Sequence, residues 1–97
     1  MATAEGVFGS QLRKLRVERG LSQEQLAKLA DVHRNHIGYI ERGEKTASLD
    51  VILRLSLALR VEPRELLAVF TLPLVARLRL TEAHVHRVKR RSAAGAH

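Results

Sequence analysis

The sequence predicts an all-α fold of five helices with an additional C-terminal segment, and three observations predict it. The hydrophobic residues, 45% of the chain, are mainly aliphatic. Aromatics are 3% and tryptophan is absent, a composition that packs helices more readily than twisted sheet. Apolar residues recur at the three- and four-residue spacing of a helix face. Left-handed stops and Ser or Pro starts divide that periodicity into short runs. At 97 residues the chain is read as one domain, with room for a modest core and too little for a catalytic cleft between lobes.

Residues 1–6, MATAEG, are small and weakly patterned and read as a flexible lead-in. The first helix is expected to start near Val7. Phe8, Leu12 and Leu15 form its apolar face, Arg13, Lys14 and Arg16 are interleaved, and Gly20 ends it just after Arg19. In LSQEQLAKLA, Ser22 can cap a second helix from about Gln23, and Gln25 can reach back to the cap amide. Leu26, Ala27 and Ala30 face inward, and Asp31 tolerates the left-handed backbone of a tight turn.

The third helix is expected over Arg34 to Arg42, with Gly43 as its stop and a buried stripe only two residues wide, Ile37 and Ile40. The fourth runs from Ser48 to Leu59. Leu49, Ile52, Leu53, Leu55 and Ala58 form its apolar stripe, and Val51 and Leu57 extend that surface, so cover on two sides is expected. Pro63 opens a fifth helix carrying Leu66, Leu67, Val69 and Phe70, which closes a compact unit over residues 7–70. In LVARLRL the apolar residues alternate as in a strand, yet Leu74, Leu78 and Val85 also fit a helix face. A sixth helix is favoured there. Residues 71–89 are assigned to dimerisation or packing and residues 90–97, RRSAAGAH, to a disordered basic tail.

Seventeen Lys and Arg against ten acids give a formal charge of +7, which draws polyanions and puts nucleic acid first among partner classes. Cysteine is absent, which excludes disulfides, thiol catalysis and thiolate metal sites and fits a reducing cytoplasm. A basic leader followed by an apolar run is missing, as is any apolar stretch of about 18 residues, so neither export nor membrane spanning is expected. No phosphate loop, catalytic dyad of carboxylates or Ser beside His is present, and an enzyme is not expected. His33 and His36 lie one turn apart and His84 and His86 form an H-x-H, but carboxylate partners are scattered; neither a metal nor another cofactor is expected.

A helix-turn-helix needs a small residue where its helices cross, a tight turn four positions on, and branched apolar residues that hold the second helix. Ala27, Asp31, Ile37 and Ile40 stand at those separations. The polar start of the third helix would then protrude, and a protruding helix fits the major groove, about 12 Å wide. QLRKLRVERGLSQEQLAKLADV, IGYIERGEKTASLDVILRLSLAL and VEPRELL together resemble the Cro and lambda-repressor type, or XRE-like, helix-turn-helix family from Phe8 to Leu67, with short restriction–modification controller proteins as the nearest look. The sequence departs from the family where Asp31 replaces the usual turn Gly, His33 the usual Ser or Thr cap, and Ser56 a small apolar residue. Residues 71–97 lie outside the resemblance.

The resemblance implies a lambda-repressor-like DNA-binding domain and assigns roles. Arg34 and Asn35 fall on base-contacting positions, and their chemistry agrees, since Arg pairs with guanine and Asn with adenine. Tyr39, one turn on, and His33 are further base-contact candidates. Gln23, at the positive end of the second helix, and His36, Lys45 and Thr46 are phosphate candidates. Arg16 and Glu41 match a family ion pair joining the first helix to the third. The expected protein is a cytoplasmic, nucleoid-associated homodimer that regulates transcription by binding a pseudo-palindromic operator in double-stranded DNA. Leu57, Leu66, Val69 and Phe70 are its expected interface, because those apolar groups exceed what five helices can bury. The rival reading is a protein-bridging adaptor or antitoxin that binds a partner through the C-terminal segment.

Overall fold

The computed structural model of the chain describes residues 2–80 and folds them into six helices. These are α1 (Ala4–Glu18), α2 (Gln23–Ala30), α3 (Arg34–Glu41), α4 (Leu49–Leu59), α5 (Pro63–Leu67) and α6 (Leu72–Arg77). The fold is all-α, as the composition predicts. The expectations for residues 81–97, the basic tail and the H-x-H pair among them, lie outside the described residues.

Local chemistry sets most helix ends. The Ser22 hydroxyl accepts from the Gln25 amide at 3.0 Å while the Gln25 side chain accepts from the Ser22 amide at 2.8 Å, closing the expected capping box. Ser48 caps α4 through the Val51 amide, and Gly20 and Gly43 stop α1 and α3 at positive φ. One start differs. Helix α1 begins at Ala4 instead of Val7, because the Thr3 hydroxyl accepts from the Gly6 amide at 3.0 Å, so residues 4–6 belong to the helix and not to a loose lead-in. Apolar periodicity misses this turn, whose side chains are not core-facing hydrophobes.

One core lies under all the main helices. Leu12 of α1, Leu26 of α2, Ile37 and Ile40 of α3, Leu55 and Leu59 of α4 and Leu66 of α5 are fully buried. Each such side chain contributes about 1.5–3 kcal/mol of transfer free energy. Ser56 is a buried polar residue, and its hydroxyl donates to the Leu53 carbonyl at 2.7 Å, so the departure from an apolar residue leaves no stranded donor.

Two expectations about the apolar surface need correction. Leu66 was expected at a dimer interface but is fully buried in the chain's own core, because α5 packs on both α1 and α4. Helix α4 was expected to be covered on two sides, yet Leu49, Leu53 and Leu57 are 71%, 44% and 79% exposed. They recur every four residues and form one open stripe.

The ambiguous segment resolves into both of its possible forms. Thr71 caps α6, which ends at Arg77, and the chain then runs extended. There the Arg79 amide donates to the Ala2 carbonyl at 3.0 Å, Thr3 and Arg79 form an isolated parallel bridge, and Leu78 is buried. The packed unit therefore continues past residue 70 to the start of α1.

Gly9 positions the functional helix. A β-carbon at Gly9 would run into the Ile40 and Glu41 carbonyl oxygens, so α1 can lie directly on the C-terminal turn of α3 only without one. Gly9→Ala is expected to lower the unfolding free energy by about 1–3 kcal/mol, the usual range for overpacking a core. Urea denaturation checks this, and an unchanged midpoint would refute the close approach.

Candidate nucleic-acid interface

The turn between α2 and α3 consists of Asp31 and its neighbours. Asp31 adopts φ 55° and ψ 50°, left-handed as expected, and the Val32 amide donates to the Ala27 carbonyl at 3.0 Å. His33 then performs the cap that Ser or Thr would supply: its Nδ1 accepts from the Asn35 amide at 3.1 Å. That bond leaves only the Nε2 edge of His33 for an outside partner. The departure from the family is visible in the sequence; the imidazole cap that compensates for it is not.

Ile37, Gly38 and Ile40 turn the buried side of α3 inward, while Arg34, Asn35 and Tyr39 are exposed. A β-carbon at Gly38 would come within 3.0 Å of the Arg42 guanidinium and 3.7 Å of Gln23 Oε1, so a residue without one leaves those two side chains their room at the α2–α3 cleft. Arg34, Asn35, Tyr39, Gln23, Glu24 and Arg42 share that cleft. His36 is half-buried, and Lys45 and Thr46 are exposed on the loop after α3. Arg34, Asn35 and Tyr39, three of the four expected base contacts, therefore share one face, with Lys45 at its end; His33, the cap of α3, does not line the cleft.

The Glu41 carboxylate anchors this face. Arg16 Nε donates to Glu41 Oε2 at 2.6 Å and Nη2 to Oε1 at 3.0 Å, while Arg16 Nη1 donates to the Leu21 carbonyl at 2.7 Å. Side-chain exposures of 11% and 3% make this a largely buried pair. The hydrogen bond to Glu41 raises the Arg16 pKa and outweighs the desolvation that opposes it. Gln23 Nε2 adds a third donor to the same carboxylate at 3.0 Å. Its amide group thus ties α2 to α3.

Cations crowd the other end of the face. The Tyr39 ring has the Arg42 guanidinium 5.3 Å and the Lys45 ammonium 4.9 Å from its centroid, both within cation–π range. Arg42 also pairs with Glu44 at 2.9 Å, and the Thr46 hydroxyl lies 3.4 Å from Glu5. Sequence reasoning did not single out Arg42, although its position three residues beyond Tyr39 was a usable signal. It also missed Glu24, whose approach to Arg34 at 3.8 Å depends on how the turn sets two helices side by side. Among the described residues no three metal-ligating side chains lie together.

Two short helices at a left-handed turn, the second with its polar half outside, define a helix-turn-helix protein. The sequence matches the helix-turn-helix family model over residues 12–66. The chain belongs to that family. It is 45% identical over 62 residues to the control protein C.BamHI of Bacillus amyloliquefaciens, covering 63% of this chain and 76% of that one. The control protein C.SmaI of Serratia marcescens is 36% identical over 61 residues, covering 63% and 73%. Among solved structures, the restriction-modification controller protein C.AhdI from Aeromonas hydrophila superposes with a TM-score of 0.63 at 50% identity, over 64% of this chain and 94% of that one.

Removing one partner of the buried pair strands a charge. Glu41→Gln and Arg16→Ala are each expected to cost about 3–5 kcal/mol of stability. Arg54→Ala, which breaks exposed pairs with Asp50 and Asp31, should leave the denaturation midpoint nearly unchanged. Equal losses in all three variants would contradict the anchoring role of Glu41.

Proposed function

We propose that this chain is a sequence-specific transcriptional regulator that binds double-stranded DNA as a homodimer, with α3 inserted in the major groove of each half of a two-fold operator. The observation that carries the reading is the division of α3, which buries Ile37 and Ile40 and holds Arg34, Asn35 and Tyr39 outside on one face. Arg34 suits guanine and Asn35 adenine. Tyr39 and the free Nε2 edge of His33 border the same base edges. The N-terminus of α2 at Gln23, with His36, Lys45 and Thr46, addresses the phosphates on either side. The net charge of +7 supplies the long-range attraction.

Dimerisation supports selectivity, since one α3 spans only a few base pairs and two copies about 34–36 Å apart multiply the discrimination. The exposed stripe Leu49, Leu53 and Leu57 on α4 is the apolar surface suited to a second copy, and Val69 and Phe70, half-buried after α5, stay candidates for the same interface. Regulation of a restriction–modification system, as the names of the relatives suggest, is the biological setting this reading favours. DNA as partner places the protein at the nucleoid.

Arg34→Ala is expected to lose about 1–3 kcal/mol of discrimination at a single operator position, as measured by competition binding with substituted duplexes. Lys45→Ala should instead weaken all duplexes alike and reduce the slope of log affinity against log salt by about one. An adaptor that does not read bases would show no position-specific loss. Leu57→Glu should shift sedimentation toward a monomer while leaving helicity intact; an unchanged dimer would remove α4 from the interface.

A further inference from the structure

We propose that Glu24 is a positioning residue for Arg34, a carboxylate that holds the guanidinium aimed at a base edge and away from phosphates. The proposal rests on the reading of Arg34 as a base contact. Among the described residues that line the α2–α3 cleft, Glu24 supplies the sole carboxylate, on a surface otherwise suited to a polyanion. Its place in the first turn of α2 is favourable for the helix dipole, which is a structural reason for an acid there. That reason does not account for its direction across the turn.

The three arginines of the cleft each have a carboxylate of their own. Arg16 is bound to Glu41 at 2.6 Å, Arg42 to Glu44 at 2.9 Å, and Arg34 lies 3.8 Å from Glu24. The last pair is the loosest and is well exposed, with side-chain exposures of 65% for Arg34 and 58% for Glu24. A loose pair of this kind restrains a side chain without burying it.

Restraint matters because an exposed arginine has a long, flexible stem and can reach any nearby phosphate, which strengthens binding to every sequence equally. A carboxylate beside the guanidinium competes with phosphate for its donors. It leaves the opposite edge of the fork free for the paired acceptors of guanine. Discrimination then improves from both sides, through a preoriented contact to the right base and a weakened contact to the backbone.

The test uses the full chain and an operator selected by the wild-type protein from genomic fragments. Affinities are measured for that operator, for duplexes altered at the base pair Arg34 reads, and for a scrambled duplex. Wild type, Glu24→Gln, Arg34→Ala and the double variant are compared. Exposed pairs contribute up to about 1 kcal/mol, so Glu24→Gln is expected to lose about two- to fivefold of discrimination at that one base pair, to tighten on scrambled DNA and to keep its melting temperature. In the Arg34→Ala background the same substitution should leave discrimination unchanged.

Equal effects of Glu24→Gln in both backgrounds would mean that the carboxylate acts on DNA directly, and no loss in either would mean that it positions nothing; each result overturns the proposal. Should Arg34→Ala by itself leave operator preference intact, the base-reading assignment fails first and takes this proposal with it. The two failures are thus distinguishable.

Discussion

The buried ion pair between Arg16 and Glu41 is the constraint from which the rest of this structure follows. It joins α1 to α3, reaches the α1–α2 loop through the Leu21 carbonyl, and takes in α2 through the Gln23 amide. Burying two charges is costly unless their hydrogen-bonding capacity is met, and here three side-chain donors converge on one carboxylate. A hydrophobic pair could fill the same volume. It could not set the rotation of α3 about its own axis, because apolar contacts lack direction whereas a bidentate guanidinium admits one geometry.

That rotation decides what α3 can present. With only Ile37 and Ile40 buried as large apolar side chains, apolar contact alone would hold the helix weakly, and close backbone approach makes up the difference. Ala27 and Ala30 are buried on α2, and Gly9 lets α1 meet the last carbonyls of α3. Tight packing on one side leaves the opposite side polar and open. Exposed cations there are not left wholly to solvent: Arg42 and Lys45 approach the Tyr39 ring and Arg42 also meets Glu44. The face is therefore partly organised before any partner arrives, which lowers the ordering cost of binding.

Much of this was legible in the sequence because the signals are local. Ser22 and Gln25 stand three residues apart and close a capping box; Asp31 and Gly43 supply left-handed stops; the spacing of Leu12, Leu26, Ile37, Ile40 and Leu55 marks residues that are buried in the structure. The Arg16–Glu41 pair was legible only through the family resemblance, since 25 residues separate its members. Local reasoning also mistook the start of α1, where Thr3 supplies a hydroxyl that hydrophobic periodicity does not count.

The sequence by itself determined the number and order of the main helices, the turn that separates α2 from α3, and which residue types face out along α3. Those features depend on interactions within a few residues, and such interactions travel with the chain wherever it folds. Only the tertiary structure decided that Leu66 belongs to the inner core, that Gly9 is a contact surface, and that residues 78–79 run extended beside residues 2–3. It alone brought Glu24 within reach of Arg34. Each of these depends on two segments meeting in space, and periodicity along one segment carries no information about the surface of the other.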